Sequence, residues 1–229
     1  MHVRFPVSVH PGKVVFELEA VSKSYGKKEV LKDVGLLIER GSKIAFVGQN
    51  GQGKTTLARI LVGELEYQGA CRLGHNVQLG YFAQEQEDLD PESTPFEALR
   101  AVAPLSQTQA RSFLHYFLFS GEEVFLPIGS LSFGERARLS LARLVGQGCN
   151  LLLLDEPINH LDIPSREQFE QGLIRYYGTV LAVVHDRYFI EHFATGVWAI
   201  EGGTIRPYGD LEDVRRARQQ ADPPESPAQ

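Results

Sequence analysis

Hydrophobic and polar positions in this chain follow two rhythms, one near 2 and one near 3.6, and the switches between them outline its elements. Val14–Val21 (VVFELEAV) alternates as a half-buried strand does and ends at Ser22–Gly26, a turn that displays Tyr25. Val30–Ile38 predicts a bent strand or strand pair closing at Arg40-Gly41. Residues 42–47, 151–155 and 179–184 are near-continuous apolar runs, the pattern of parallel strands covered on both faces. Between them lie helical spacings, first from Thr55 to Val62 with Leu57, Ile60 and Leu61 on one face. Ala70–Leu73 and Val77–Tyr81 predict short strands around Gly74-His75-Asn76. From Thr94 the rhythm is helical: Thr94 caps, Pro95 takes the first helical position, and Phe96, Leu99 and Val102 share a face. With a second helix over Thr108–Leu118, residues 87–130 read as a mostly helical insertion. Ser132 caps a helix to about Val145, and Pro164–Tyr176, Tyr188–Phe193 and Leu211–Gln219 complete the helices. Val197–Glu201 and Thr204–Arg206 form a hairpin over Gly202-Gly203. Strand and helix in alternation predict an α/β sheet, with functional loops at the carboxyl ends of its strands.

Composition narrows this picture. The 229 residues are 43% hydrophobic, ample for one large core. A formal charge of −6 argues against a surface that binds nucleic acid everywhere, while leaving room for a local basic patch. Cys71 and Cys149 are the only cysteines and lack CxxC spacing, so neither a disulfide framework nor a zinc site is expected. No apolar run approaches the length of a membrane span, and the first residues lack a signal-peptide core, so a soluble cytoplasmic protein is expected. Residues 1–13 read as an approach segment, 14–219 as one domain with a helical subdomain at about 87–150, and 220–229 as a polar, proline-rich, disordered tail.

The candidate chemistry centres on Gly48-Gln49-Asn50-Gly51-Gln52-Gly53-Lys54-Thr55, which fits the phosphate-loop pattern G-x-x-x-x-G-K-[ST] between a predicted strand and a predicted helix. Its glycines let successive N–H groups turn inward on phosphate oxygens, and the helix adds its positive end. Lys54 is suited to the β- and γ-phosphates, the Thr55 hydroxyl to Mg²⁺, and Thr56 belongs to the same turn. Phosphoryl transfer further needs a metal carboxylate and a positioned water. Asp155, ending LLLLD, suits the first role, directly or through water. Glu156 suits the second as a base. Gln84, leaving its strand, offers an amide oxygen to Mg²⁺ or to the water. His185 ends VLAVV within reach of a γ-phosphate, and Tyr25 offers a ring for adenine or is an ordinary turn aromatic.

Taken in order, GQNGQGKT, the glutamine of YFAQE, LSFGERARLSLARL, LLLLDEP and the histidine of VVHDRYF resemble an ABC-type ATPase domain over roughly residues 14–207. The resemblance implies a P-loop NTPase ABC-type core: a mixed, largely parallel sheet with an antiparallel β region and a helical insertion. EPINHLD (156–162), HDRYF (185–189), RLGHNVQLGYFAQEQ (72–86) and FLFSGEEVF (117–125) resemble more narrowly the ABC-F proteins, in particular their C-terminal domain. Those proteins are soluble, usually carry two such domains, and act on ribosomes in translation or antibiotic resistance. It implies ATP and Mg²⁺ as ligands, Glu156, His185 and Gln84 as catalytic residues, and Thr55, Gln84 and Asp155 around the metal. Ser132, Gly134 and Glu135 match the signature that contacts nucleotide held by an opposing domain, and Asn159, His160 and Asp162 match the loop across that interface. Phe133 stands where the signature usually has glycine, and Ile158 where threonine is usual. One P-loop and one signature imply half of each of two shared sites, hence a second ABC domain as partner, together with the ribosome or its RNA. Two other readings remain: the nucleotide-binding subunit of a membrane transporter, and a nucleotide-gated module that dimerises with turnover incidental.

Overall fold

The apolar run at 151–154 is continuous because both of its faces are covered. In a computed structural model, which describes residues 11–83, 89–159 and 161–221, it forms β6 (Leu151–Asp155), the second strand in the order of a six-stranded sheet. Leu152 and Leu154 enter one hydrophobic core while Leu151 and Leu153 enter another on the opposite face. The same division holds in β3 (Lys43–Val47), where Ala45 and Val47 oppose Ile44 and Phe46, and in β7 (Thr179–Val183), where Val180 and Ala182 oppose Leu181 and Val183. Covered strands carry no polar alternation, which is why these segments read as unbroken apolar runs.

The sheet order is β5-β6-β7-β3-β8-β9, with β5 at Leu79–Phe82, β8 at Gly196–Glu201 and β9 at Thr204–Tyr208. All neighbours are parallel except β8 and β9, which form the hairpin. A second, antiparallel sheet has the order β2-β1-β4, from β1 (Val14–Tyr25), β2 (Lys28–Glu39) and β4 (Gln68–Leu73). Helix α1 (Lys54–Leu61) shares the core between the two sheets, contributing Leu57, Ala58, Ile60 and Leu61. The other core takes up α2 (Pro95–Arg100), α3 (Gln107–Tyr116), two short 3₁₀ turns (Gly121–Phe125, Ile128–Ser130), α4 (Phe133–Gly146), α5 (Ile163–Arg175), α6 (Arg187–Phe193) and α7 (Leu211–Ala221). The chain is thus an α/β P-loop NTPase fold with a mixed sheet, an antiparallel β region and a helical segment after β5. Among the described residues, no helix is long and apolar enough to cross a membrane.

Of the two forms expected for Val30–Ile38 the bent strand is found, and one other local expectation changes. Val30–Ile38 lies within one strand whose register with β1 shifts at several bulges, with Ala20 and Asp33 at positive φ. The strands flanking Gly74-His75-Asn76 do not pair: β4 joins the antiparallel sheet, and β5 begins two residues later than expected in the parallel one. Asn150 fixes this divergence, accepting from the Gln78 backbone N–H at 3.0 Å and donating to the Asn76 carbonyl at 2.9 Å. The amide side chain ties the departing segment to the start of β6.

Candidate functional site

Strand β3 ends at Val47, and residues 48–53 carry the chain round to the first turn of α1 at Lys54. Two glycines are required by what surrounds them. Gly53 has φ 105°, and a Cβ there would lie 2.8 Å from Val30 Cγ1. A Cβ at Gly48 would lie 2.6 Å from the Ile200 carbonyl oxygen. The loop is therefore pressed between β2 and β8, and only backbone fits at those points. Lys54 is buried, its ammonium donating to the Gly48 and Gln49 carbonyls at 2.9 and 3.0 Å. Burial lowers its pKa, opposed by the charges of Glu156 and Asp155.

A cleft of about 420 Å³ opens over this loop, lined by Tyr25, Lys28, Asn50, Gly51, Gly53, Lys54, Thr55, Thr56 and Glu156, with Val30 beneath. Tyr25 is the last residue of β1, which runs on through most of the segment expected as a turn, and half its surface is exposed. Lys23 Nζ stands 5.3 Å from the centroid of its ring, close enough for cation–π attraction.

The acidic wall comes from the carboxyl ends of β6 and β7. Asp155 is buried at the end of β6, with the Tyr81 hydroxyl 3.5 Å from Oδ2. Burial, and next the Glu156 carboxylate, raise the Asp155 pKa against the pull of Tyr81, Arg59 and Lys54. Tyr81 is itself pushed up to about 12, mainly by burial. Glu156 has φ 51°, a left-handed conformation rare outside glycine and asparagine, held by its N–H donating to the Val183 carbonyl at 3.0 Å. Asn159 Nδ2 donates to Glu156 Oε2, and His185 Nε2 lies 3.7 Å from Glu156 Oε1. A second cavity of about 270 Å³ adjoins here, lined by Glu156, Asn159, Arg166, His185 and Asp186 among others.

Ser132, Gly134 and Glu135 lie apart from the P-loop cleft. Ser132 caps α4 in a reciprocal box with Glu135: its N–H donates to Glu135 Oε2 at 2.7 Å and its Oγ accepts from the Glu135 N–H at 3.2 Å. Phe133 is partly buried against the helical core, and Ile158 is buried. Asp162 caps α5, its Oδ1 accepting from the Ser165 N–H at 2.9 Å. Gln84 and His160 lie outside the described residues. Lys28 and Val30 were not foreseen as cleft residues, since the register that folds β2 over the loop leaves no local mark. Arg166 and Tyr81 were also missed as site residues, although Arg166 stands four residues after Asp162 and Tyr81 lies within the YFAQE motif.

The donor set suits a hard cation carried by a polyphosphate. Among the described residues no group of three or more His, Cys, Asp or Glu could hold a metal alone. One buried carboxylate and one exposed hydroxyl, Asp155 and Thr55, are what Mg²⁺ uses when phosphates and water complete its shell.

A profile of the family described as ABC transporter matches residues 31–159. The ATP-binding protein Uup of Escherichia coli (strain K12) is 38% identical over 217 residues, covering 91% of this chain and 34% of Uup. The ATP-binding protein Uup-like of Haemophilus influenzae is 40% identical over 225 residues, 93% of this chain and 48% of that protein. The ribosome protection protein VmlR of Bacillus subtilis (strain 168) is 34% identical over 221 residues, 95% of this chain and 40% of VmlR. The chain thus spans between about a third and a half of the length of these relatives, all ABC-F proteins.

Proposed function

Because this chain belongs to the ABC transporter family of ATP-binding domains, we propose that it binds Mg²⁺-ATP, hydrolyses it, and couples that cycle to action on the ribosome. The observation that carries the reading is the convergence on one cleft of Tyr25, Lys54, Thr55 and Glu156, residues from three separate elements. Tyr25 stacks on adenine. Backbone N–H groups of residues 48–55 and the start of α1 hold the β- and γ-phosphates, with Lys54 as point charge. Thr55 and Asp155, with Gln84, would hold Mg²⁺, which supplies charge neutralisation on the phosphates. Glu156 takes a proton from a water whose oxygen bonds the γ-phosphorus as the bond to the bridging oxygen of ADP breaks. His185 donates to the γ-phosphate. Ser132, Gly134, Glu135 and the loop at Asn159–Asp162 serve nucleotide on a second ABC domain, so that two domains close on shared ATP.

Similarity to VmlR, a ribosome protection protein, supports the ribosome as the target and the cytoplasm as the compartment. The test is pelleting of the chain with ribosomes through a sucrose cushion, with and without Mg²⁺-ATP, beside Lys54→Ala. ATP-dependent pelleting, lost in the variant, is expected. Pelleting that ignores both nucleotide and Lys54, or recovery with membranes instead, would sink the coupling.

A further inference from the structure

At the carboxyl ends of β6 and β7, the Glu156 N–H, just past β6, donates to the carbonyl of Val183, the last residue of β7. Beyond it the strands are finished, yet His185 and the Glu156 carboxylate must still be held at a defined separation. Arg166, in the first turn of α5, spans that gap. Its Nε donates to the Leu161 carbonyl at 3.2 Å, and its Nη1 donates to Asp186 Oδ2 at 2.9 Å. Its own N–H donates to the Asp162 carbonyl at 3.0 Å, which fixes the base of the side chain on the same loop. Asp186 is used twice, because its Oδ1 accepts from the Phe189 N–H at 3.0 Å and so caps α6. Val184 and His185 lie between β7 and Asp186, and Arg166, His185 and Asp186 line the same cavity as Glu156.

We infer that Arg166 is a positioning residue: its guanidinium, bridging Leu161 and Asp186, sets the distance between His185 and Glu156. A guanidinium suits the task, since its rigid fork engages a carbonyl and a carboxylate in one plane. The pair is partly exposed, with side-chain exposures of 40% and 32%, so it contributes little to stability, and its effect falls on geometry. This inference rests on the ATPase reading above.

The test compares Arg166→Gln, Arg166→Lys, Asp186→Asn and the double variant Arg166→Gln/Asp186→Asn in the full chain. Asparagine keeps the cap of α6 while giving up the charged partner. Expected is a fall in kcat of roughly tenfold or more, since small displacements of reacting groups are costly, with KM for ATP and Tm close to wild type. The double variant should fall no further than either single change, and Arg166→Lys should recover only part, having no second donor fixed toward Leu161. NMR of histidine-labelled chain should show the His185 ring resonances displaced in both single variants. Unchanged kcat, a kcat loss that merely tracks a fall in Tm, additive losses in the double variant, or unmoved His185 resonances would each overturn the clasp. Absence of ATP turnover in the wild type, both alone and with an added companion ABC domain, would by contrast overturn the ATPase reading itself, while the His185 resonances still decide whether Arg166 positions that ring.

Discussion

Asp155 closes a strand whose four preceding leucines have no exposed surface, and it is itself buried at the strand's mouth. Burial and the adjacent Glu156 raise its pKa above the usual carboxylate value. The sign follows from linkage: with the folded pKa above the unfolded one, the ionised form costs stability at neutral pH. That cost fades as pH falls from the folded value to the unfolded one. Asparagine has the same shape without the charge. Asp155→Asn is therefore expected to raise Tm at pH 7, by roughly 2–4 °C per kcal/mol relieved in a chain of this size. The advantage should vanish near pH ~4, where an ordinary aspartate is half protonated. The same variant should weaken the Mg²⁺ dependence of ATP hydrolysis, because a hard cation loses its carboxylate. Calorimetry at the two pH values, with an Mg²⁺ titration of turnover, checks both halves. A lower Tm at pH 7 would mean that Tyr81 and Lys54 outweigh the cost of burial. Lys54 stands in the complementary position, a buried cation whose pKa is lowered by burial and raised by Glu156 and Asp155.

Helices α4 and α5 pack against each other at their first turns, and Gly134 is the reason they can. A Cβ at Gly134 would lie 2.3 Å from Ser165 Oγ and 2.4 Å from Ser165 Cβ. The hydroxyl can rotate away, but the Cβ cannot. Gly134→Ala is expected to destabilise the fold by about 1–3 kcal/mol through overpacking, and Ser165→Gly in the same chain should recover much of the loss. Urea midpoints of the three variants check this, and a neutral Gly134→Ala would mean the contact is loose. This contact shows what a sequence can and cannot display. Ser132, Thr94 and Ser106 each cap a helix, the first two at positions local spacing predicts. Leu151–Leu154 announces burial on both faces, and both cores are there. Periodicity reports which positions are buried, not against what. So Ala70–Leu73 and Val77–Tyr81 read as neighbours, whereas Asn150 sends them to different sheets. The phosphate loop is a local motif and was legible. The wall opposite it, Lys28 and Val30, depends on bulged long-range pairing between β1 and β2 and was not.

At the scale of the whole molecule, the cleft contains the P-loop and Glu156 but none of Ser132–Glu135. If the signature segment acts on nucleotide, it does so on nucleotide held elsewhere, by a second copy or a companion domain. The relatives it matches are two to three times as long as this chain's aligned segment, which leaves length for such a domain in them. Glu156→Gln separates the two halves of the proposal. The amide keeps the shape and the hydrogen-bond reach toward Asn159, yet it cannot take a proton from water. Binding of ATP should persist while hydrolysis slows by roughly 10²-fold or more. The ATP state then accumulates, and any closure that needs ATP at the interface becomes long-lived enough to observe. Analytical ultracentrifugation of this variant over a concentration series is expected to show self-association only with Mg²⁺-ATP present, or association with an added companion ABC domain. Slow hydrolysis with a strict monomer in every mixture would retain Glu156 as base and remove the two-domain site. Association with hydrolysis at the wild-type rate would do the reverse, leaving the shared site intact and moving the base to another residue.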